Sequence, residues 1–394
     1  MKAKITGTII VLTLILFGGW AYYEWNQSQP AADYSSSSGV SKALGAADTA
    51  GFKRAIHGRT FHFPEDHGPH PAFKNEWWYY TGNLTTRSGR HFGYQFTIFR
   101  IGLKPGKVQS EDNWATHQFY MAHLALTDVY NHKFYAFQRF SRSALNLAGA
   151  EASPFHVWLD DWQVRGSGVQ KRTPPMHITA HKEPIGLDLH LISQKPPVLE
   201  GDHGLSQKGT SPGNASYYYS LTRLKTTGTV RLKGQAFKVR GSSWMDREWG
   251  TTMLEKNQSG WDWFSLQLSN GWELMYYQLR KRNGRAESTS AGKLIRPDGS
   301  SVTLPYGSVK INISDYWKSS TTGTNYPSGW QLTVPSRSIR LNIDPIIKNQ
   351  ELRLSVAYWE GAVKIDGKMD NEKVTGNGYV ELTGYGDDSA KPGY

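Results

Sequence analysis

Past residue 50 the chain is cut into short segments rich in aromatic and β-branched residues, such as HFGYQFTIFRIG, FYMAHLALTD, KFYAFQRFSR, FHVWLDDWQV, ASYYYSLTRL and WELMYYQLR. Each is closed by a cluster of Gly, Asn, Asp or Pro, the pattern of strands joined by tight turns. Punctuation this frequent leaves no room for a long helical stripe, and residues 143–152 are the one stretch that reads as a short helix. The fold class is therefore all-β, with antiparallel strands joined by hairpins. The 40 Gly, 15 Trp, 21 Tyr and 15 Phe agree with that class and exclude disorder of the whole chain.

Two parts of this pattern occur twice. Glu76-Trp77-Trp78 leads into a strand, a turn at Gly89 and a second strand that ends at Arg100; Asp262-Trp263-Phe264 leads into a strand, a turn at Asn270-Gly271 and a second strand that ends at Arg280. The segments Val239 to Asp246 and Val374 to Glu381 match in valine, glycine, aromatic, apolar and acidic positions. One β-unit used twice explains this order, over residues 51–250 and 251–394, with extra loops in the first copy. Closure into barrels removes open strand edges. It would pair the first and last strand of each copy, bringing Glu76 near the strand of Asp246 and Asp262 near that of Glu381. A barrel of about eight to ten strands has room for one small apolar ligand.

Residues 1–25 read as a signal peptide or membrane anchor: Lys2 and Lys4 precede an uncharged stretch over 5–23, long enough to cross a bilayer as helix. The apolar run continues through the small-residue pattern Gly19-Trp20-Ala21, which favours an uncleaved anchor over a cleaved peptide. Residues 26–50 have flexible-linker composition. The expected location is outside the cytoplasm, anchored at the periplasmic face of the inner membrane, or secreted. There are 0 cysteines, which removes disulfides, thiolate nucleophiles, Cys-ligated zinc and a lipid-modified cysteine. The net charge of +12 is scattered rather than blocked, so it suits an anionic membrane surface better than nucleic acid.

No Gly-x-Ser-x-Gly elbow, P-loop, His-Glu-x-x-His or dinucleotide fingerprint is present, and no cofactor or metal is expected. What remains for chemistry is carboxylates, His, Tyr and Arg. Glu76, Asp246 and Asp262 are either acid catalysts or, more often for such residues, carboxylates paired with Arg247, Arg100 or Arg280 or with indole N–H groups. His67 and His70 lie in a loop, where a turn or cap role outweighs metal binding. His123 shares its strand face with the small Ala125 and Thr127, so a pocket-facing role stands level with that of a core histidine.

The segments FPEDHGPHPAFKNEWWYYTGNL, MAHLALTD, RFSR, SSWMDREWG, GWDWFSLQL, ELMYYQLR, YWEG and GYVELTGY run in order from residue 63 to 385, and with them the chain resembles the AttH-like, carotenoid hydratase-related family often labelled secreted hydrolases. The resemblance implies two consecutive lipocalin-like barrels with a ligand site near or between them, and a possible permease partner of the ABC transporter class. It also implies chemistry: where hydratases carry a His-x-Trp and a Tyr-x-Asp pair, this chain has Arg247-x-Trp249 and Tyr276-x-Gln278. The imidazole and the acid are missing, so Asp246 or Glu248, on the opposite strand face, would have to substitute.

Two functions follow. The first is an exported protein that binds an apolar lipid or isoprenoid. The second is a hydratase, hydrolase or cyclase that uses Asp246, Arg247, Glu248, Trp249, Tyr276 and His123, with Glu76, Trp78, Tyr80, Trp244, Asp262, Trp263 and Gln278 as ligand contacts. A cavity with a desolvated, unpaired carboxyl favours the enzyme; a cavity whose acids are all paired with Arg favours the binder.

Overall fold

Aromatic and β-branched side chains pack well on a pleated surface, and the frequent turns keep every strand short enough to find its sequence neighbour. The computed structural model describes residues 49–106, 116–167, 172–251, 254–255 and 257–386. The expected signal segment and most of the linker lie outside the described residues.

The first sheet begins with the meander β1 (Asn75–Thr85), β2 (His91–Gly102), β3 (Gln118–Asp128) and β4 (Lys133–Arg142). Five shorter strands follow: β5 (Ala148–Ala152), β6 (Phe155–Leu159), β7 (Trp162–Gly166), β8 (Met176–Lys182) and β9 (Ile185–Ser193). After β10 (Val198–Leu199) and β11 (Leu205–Gln207), the long β12 (Ala215–Leu232) and β13 (Gln235–Gly250) return across it. These make a 13-stranded sheet in the order β4-β3-β2-β1-β13-β12-β9-β8-β7-β6-β5, with β10 and β11 on β12.

The second sheet has 10 strands. They are β14 (Gln258–Leu268), β15 (Glu273–Lys281), β16 (Ala291–Ile295), β17 (Ser301–Leu304) and β18 (Lys310–Lys318), then β19 (Asn325–Val334), β20 (Ile339–Pro345), β21 (Glu351–Arg353), β22 (Ala357–Met369) and β23 (Glu372–Leu382). All pairs are antiparallel, and the order is β17-β16-β15-β14-β23-β22-β20-β19-β18, with β21 on β22. Both sheets curl into barrel-like shapes and belong to one compact unit. The first and last strand of each copy pair as expected, Glu76 lying opposite Trp249 and Trp263 opposite Glu381.

The helix expected over residues 143–152 does not form. A single 3-10 turn, Ala144–Asn146, leads directly into β5. Leu145 and Asn146 adopt positive φ values of 52° and 58°, which end any helix there, and β5 finds a hairpin partner in β6.

Side chains alternate across a strand, and the alternation decides which layer each residue joins. One set, Trp78 and Tyr80 of β1 with Phe96, Trp162, Leu189 and Trp249, fills the interior of the first barrel. Phe264, Tyr276, Trp330, Leu341, Trp359 and Val380 fill the second. The alternate set points at the other sheet: Tyr79, Tyr218 and Trp244 pack against Trp263, Tyr277 and Tyr379. Polar groups cross this seam too. Asn83 Nδ2 donates to the Gly378 carbonyl at 3.0 Å, and Gln267 Nε2 to the carbonyls of Thr222 at 2.7 Å and Ser243 at 3.0 Å.

Inside the first barrel the Glu76 carboxylate is held between the guanidinium groups of Arg100 and Arg247, and all three are fully buried. Arg100 also donates to the Phe73 carbonyl at 2.7 Å, and Arg247 to the Gly68 carbonyl at 2.6 Å. Burial alone would raise the Glu76 pKa, but the two cations outweigh it and hold the carboxyl well below its usual range. In the second barrel Arg280 likewise pairs with Asp262, but there burial outweighs the single cation and the carboxyl's pKa is raised. Removing the anion from the first clamp leaves two guanidinium groups buried without their charge partner. Glu76→Gln is therefore expected to cost about 3–5 kcal/mol in urea unfolding; a loss within experimental error would show that the clamp does not hold the barrel.

Candidate active site

The seam between the sheets does not close completely. A cavity of about 720 Å³, including the part open to solvent, remains between the paired strands β1–β13 and β14–β23. The first sheet contributes Trp77, Tyr79, Phe99 and Tyr218 to its wall; the second contributes Trp261, Trp263, Tyr277 and Tyr358. Aromatic side chains thus dominate its wall. The ionisable groups at the wall are Asp246, Glu248, Glu381 and Lys208.

Asp246 sits on the seam-facing side of β13. Its carboxyl accepts hydrogen bonds from Ser220 Oγ at 2.6 Å, Trp244 Nε1 at 2.6 Å and the Tyr218 hydroxyl. Burial pushes its pKa up to about 7, with Glu248 adding to the rise, although the three donors pull the other way. Glu381, on β23, is likewise pushed up to about 7, first by burial and then by the negative charges of Asp246 and Glu248, while Trp261 Nε1 donates to it at 3.0 Å. Among the described residues neither acid forms an ion pair. Glu248 differs, since Lys208 Nζ lies 2.8 Å from its Oε1 and Ser216 also donates to it. Burial opposes the Lys208 charge, yet Glu248 beside it keeps the ammonium above its ordinary range.

Two further acids stand close to this wall. Glu200 is fully buried, and burial followed by the Asp246 charge raises its pKa to about 8. Glu360 accepts the Tyr79 hydroxyl at 2.5 Å and lies opposite Glu381 across β22 and β23; burial and then Glu381 raise its pKa well above the carboxyl range.

Of the residues singled out in the sequence, Asp246, Glu248 and Trp263 line the cavity, and Trp244 reaches it through Asp246. His123 stands one layer back: its Nδ1 hydrogen-bonds the hydroxyl of the wall residue Tyr358 at 2.8 Å, and its ring meets Phe99. Burial lowers its pKa to about 3, so the imidazole is neutral. The structure does not bring the rest to this place. Glu76, Trp78, Tyr80, Arg247 and Trp249 occupy the first barrel interior, where Arg247 lies 4.0 Å over the Trp78 ring. Asp262 and Tyr276 lie in the second barrel, and half-buried Gln278 sits opposite Asp262 in the β14–β15 ladder. Each is one residue out of phase with the cavity, because Arg247-x-Trp249 and Tyr276-x-Gln278 share the strand parity of the barrel cores. His67 and His70 are structural: His67 bonds the Tyr219 hydroxyl at 2.6 Å, and His70 stacks on Trp249 at 3.7 Å.

A profile of the AttH-like family matches residues 54–385. The chain belongs to the AttH-like family. An AttH protein from Nitrosomonas europaea superposes with a TM-score of 0.75 at 32% identity, over 85% of this chain and 100% of that one. Kievitone hydratase from Nectria haematococca shares the fold with a TM-score of 0.63 at 15% identity, over 85% of this chain and 98% of that one. By sequence, kievitone hydratase of Fusarium solani subsp. phaseoli is 23% identical over 56% of this chain and 65% of that protein. The dehydratase asqC of Emericella nidulans is 22% identical over 52% of this chain and 60% of that protein. The matched parts thus span less than two thirds of either curated relative. This AttH-like chain accordingly has relatives named for adding water and for removing it.

Several wall residues of the AttH-like cavity were not singled out from the sequence, among them Tyr218, Lys208, Glu381 and Tyr358. Glu381 carried a usable signal, since it is the repeat counterpart of Asp246, and the two acids meet the same cavity. Lys208 and Glu200 lie outside the repeated motifs, in the irregular chain around β10 and β11, and nothing local marks them.

The raised Asp246 pKa has a stability consequence with a definite sign. Between the unfolded carboxyl value near 3.8 and the folded value near 7, the unfolded chain ionises while the folded chain keeps its proton. Stability from this group is therefore present at low pH and lost as pH rises through that window. Asp246→Asn is expected to melt at a higher temperature than wild type at pH 8, with the gap shrinking toward pH 5 by thermal denaturation. A gap independent of pH would show that Asp246 is not the titrating group.

Proposed function

We propose that this protein is a hydro-lyase-type enzyme that adds water to, or removes it from, an apolar alkene-bearing molecule held between the two sheets. The observation that carries this reading is Asp246: a buried carboxyl without a cationic partner, its pKa near 7, at the wall of an aromatic cavity. Such a group is a competent proton donor at neutral pH. In the hydration direction the Asp246 proton forms a new C–H bond with one alkene carbon. The other carbon gains cationic character opposite the faces of Trp77, Trp261 and Trp263, whose quadrupoles favour it. Water attacks there to form the C–O bond, and its surplus proton passes to a carboxylate.

Glu381 suits that last role. The Asp246 charge raises the cost of ionising Glu381, and both pKa values lie near 7, so at neutral pH the form with Asp246 protonated and Glu381 charged is populated. Elimination is the same path reversed. The hydratase and dehydratase names of two relatives support this chemistry, and a carrier for the same ligand would have no use for two unpaired desolvated acids.

The test uses the purified chain with kievitone and with a panel of isoprenoid-bearing alkenes, in water enriched in oxygen-18. Incorporation of one heavy oxygen into the product, read by mass spectrometry, is the expected outcome. Asp246→Asn should lower kcat by about 10²- to 10⁴-fold with little change in KM, and the wild-type rate should fall as pH rises past about 7. If bound alkenes are recovered unchanged from wild type, the protein is a carrier; if Asp246→Asn keeps full kcat, the donor is another group.

A further inference from the structure

On the outer face of the first sheet, away from the cavity, three side chains with metal-binding donors converge. β9 alternates buried Leu187, Leu189 and Leu191 with Asp188 and His190, which point outward. On the neighbouring β8, His177 alternates with buried Met176 and Ile178, and it lies directly opposite His190 in the ladder. The strand period therefore places an Asp-x-His pair on one strand and a third ligand on the next, all on one face. The donor atoms of the three all lie within 4.8 Å of one another.

The side chains are already gathered. The imidazoles of His177 and His190 stack with centroids 4.2 Å apart and planes 14° from parallel. His177 Nε2 lies 2.8 Å from Asp188 Oδ1. Hydrogen-bonded strands flank both carriers, β7 and β9 around β8, and β8 and β12 around β9. The backbone is thus fixed, and only side-chain rotation is needed to reach one ion. Ligands at about 2.0–2.2 Å from a tetrahedral zinc stand roughly 3.3–3.6 Å apart, so the His177–Asp188 contact at 2.8 Å would open by a few tenths of an ångström while no donor pair, all lying within 4.8 Å, need move far.

The charged neighbours leave the site open. Arg165 lies opposite His177 on β7, but its Nε donates to Gln163 Oε1 at 2.6 Å. On the β12 side the residues opposite His190 and Asp188 are the uncharged Thr227 and Thr229; beyond them, Lys238 donates to the Thr229 hydroxyl at 3.1 Å.

We propose that His177, Asp188 and His190 bind one divalent transition-metal ion of the zinc class. Two imidazoles and one carboxylate form a donor set suited to Zn(II) or Cu(II), rather than to Mg(II) or Ca(II), which take oxygen ligands. The remaining coordination positions face solvent. Bound metal would clamp β8 to β9 and would stabilise the fold by mass action.

The test is zinc titration of the full chain, without a histidine tag, by isothermal calorimetry and thermal melting at pH 7.5. One zinc per chain and a metal-dependent rise in melting temperature are expected. His190→Ala and His177→Ala should each weaken binding at least tenfold, and Asp188→Asn should weaken it less. His181→Ala, which removes an exposed histidine paired with Glu183, serves as the control and should leave binding unchanged. Metal-free melting of each variant checks that it folds. Because protons compete for imidazole, binding should weaken toward pH 5.5. A Co(II) titration gives an independent readout, since ligand-field bands should appear in wild type and be absent from His177→Ala. Zinc binding that survives the double variant H177A/H190A, or the absence of any zinc-dependent heat and melting shift in wild type, would overturn the site.

Discussion

The structure depends on one repeated constraint, the antiparallel pairing of the first and last strands of each copy. β1 with β13 and β14 with β23 form two ribbons, and side-chain alternation gives every ribbon two faces. One face of each ribbon fills a barrel. The other faces the partner ribbon across the seam, and the cavity lies where the seam is not filled. Neighbouring residues such as Asp246 and Arg247 therefore serve different layers although one peptide bond joins them.

The acids at the start and at the end of each copy meet burial in different ways. In the barrel interiors Glu76 and Asp262 are neutralised by Arg100, Arg247 and Arg280, and they act as clamps. In the seam Asp246 and Glu381 have hydroxyl or indole donors and no cation, so burial raises their pKa values. Buried acids near neutrality are poised to exchange protons, whereas ion-paired acids are not. The repeat places one acid of each kind in each copy, a clamp acid at its start and a seam acid at its end, which makes the cavity nearly symmetric in its carboxyls. The wall's third carboxyl, Glu248, belongs to the first copy and is paired with Lys208.

Much of the fold was legible because strands announce themselves locally. The aromatic and β-branched segments, the turn residues and the doubled acid–Trp and aromatic–acid motifs led to an all-β chain of two lipocalin-like barrels, and family membership agrees. The exception, residues 143–152, is instructive. Its small residues suit a helix locally, but the backbone at Leu145 and Asn146 and the hairpin partner in β6 prevail. The site was legible only in part. Asp246, Glu248 and Trp263 were identified and reach the cavity, while Arg247, Trp249 and Tyr276 were chosen by alignment with hydratase motifs and lie on the barrel parity.

The sequence by itself determined the strands, their repetition and the division of every strand into two sets of side chains. It could not say which set meets the ligand. In a strand with one face to water, polarity tells the faces apart, but β1, the second half of β13 and β14 are largely buried on both sides, and both of their faces carry aromatics. Only the tertiary structure decided that question. It did so by placing Arg100, Arg247 and Arg280 beside the barrel acids and leaving Asp246 and Glu381 in the seam without an ion-pair partner, so that the same residue type became a structural anion on one face and a candidate proton donor on the other.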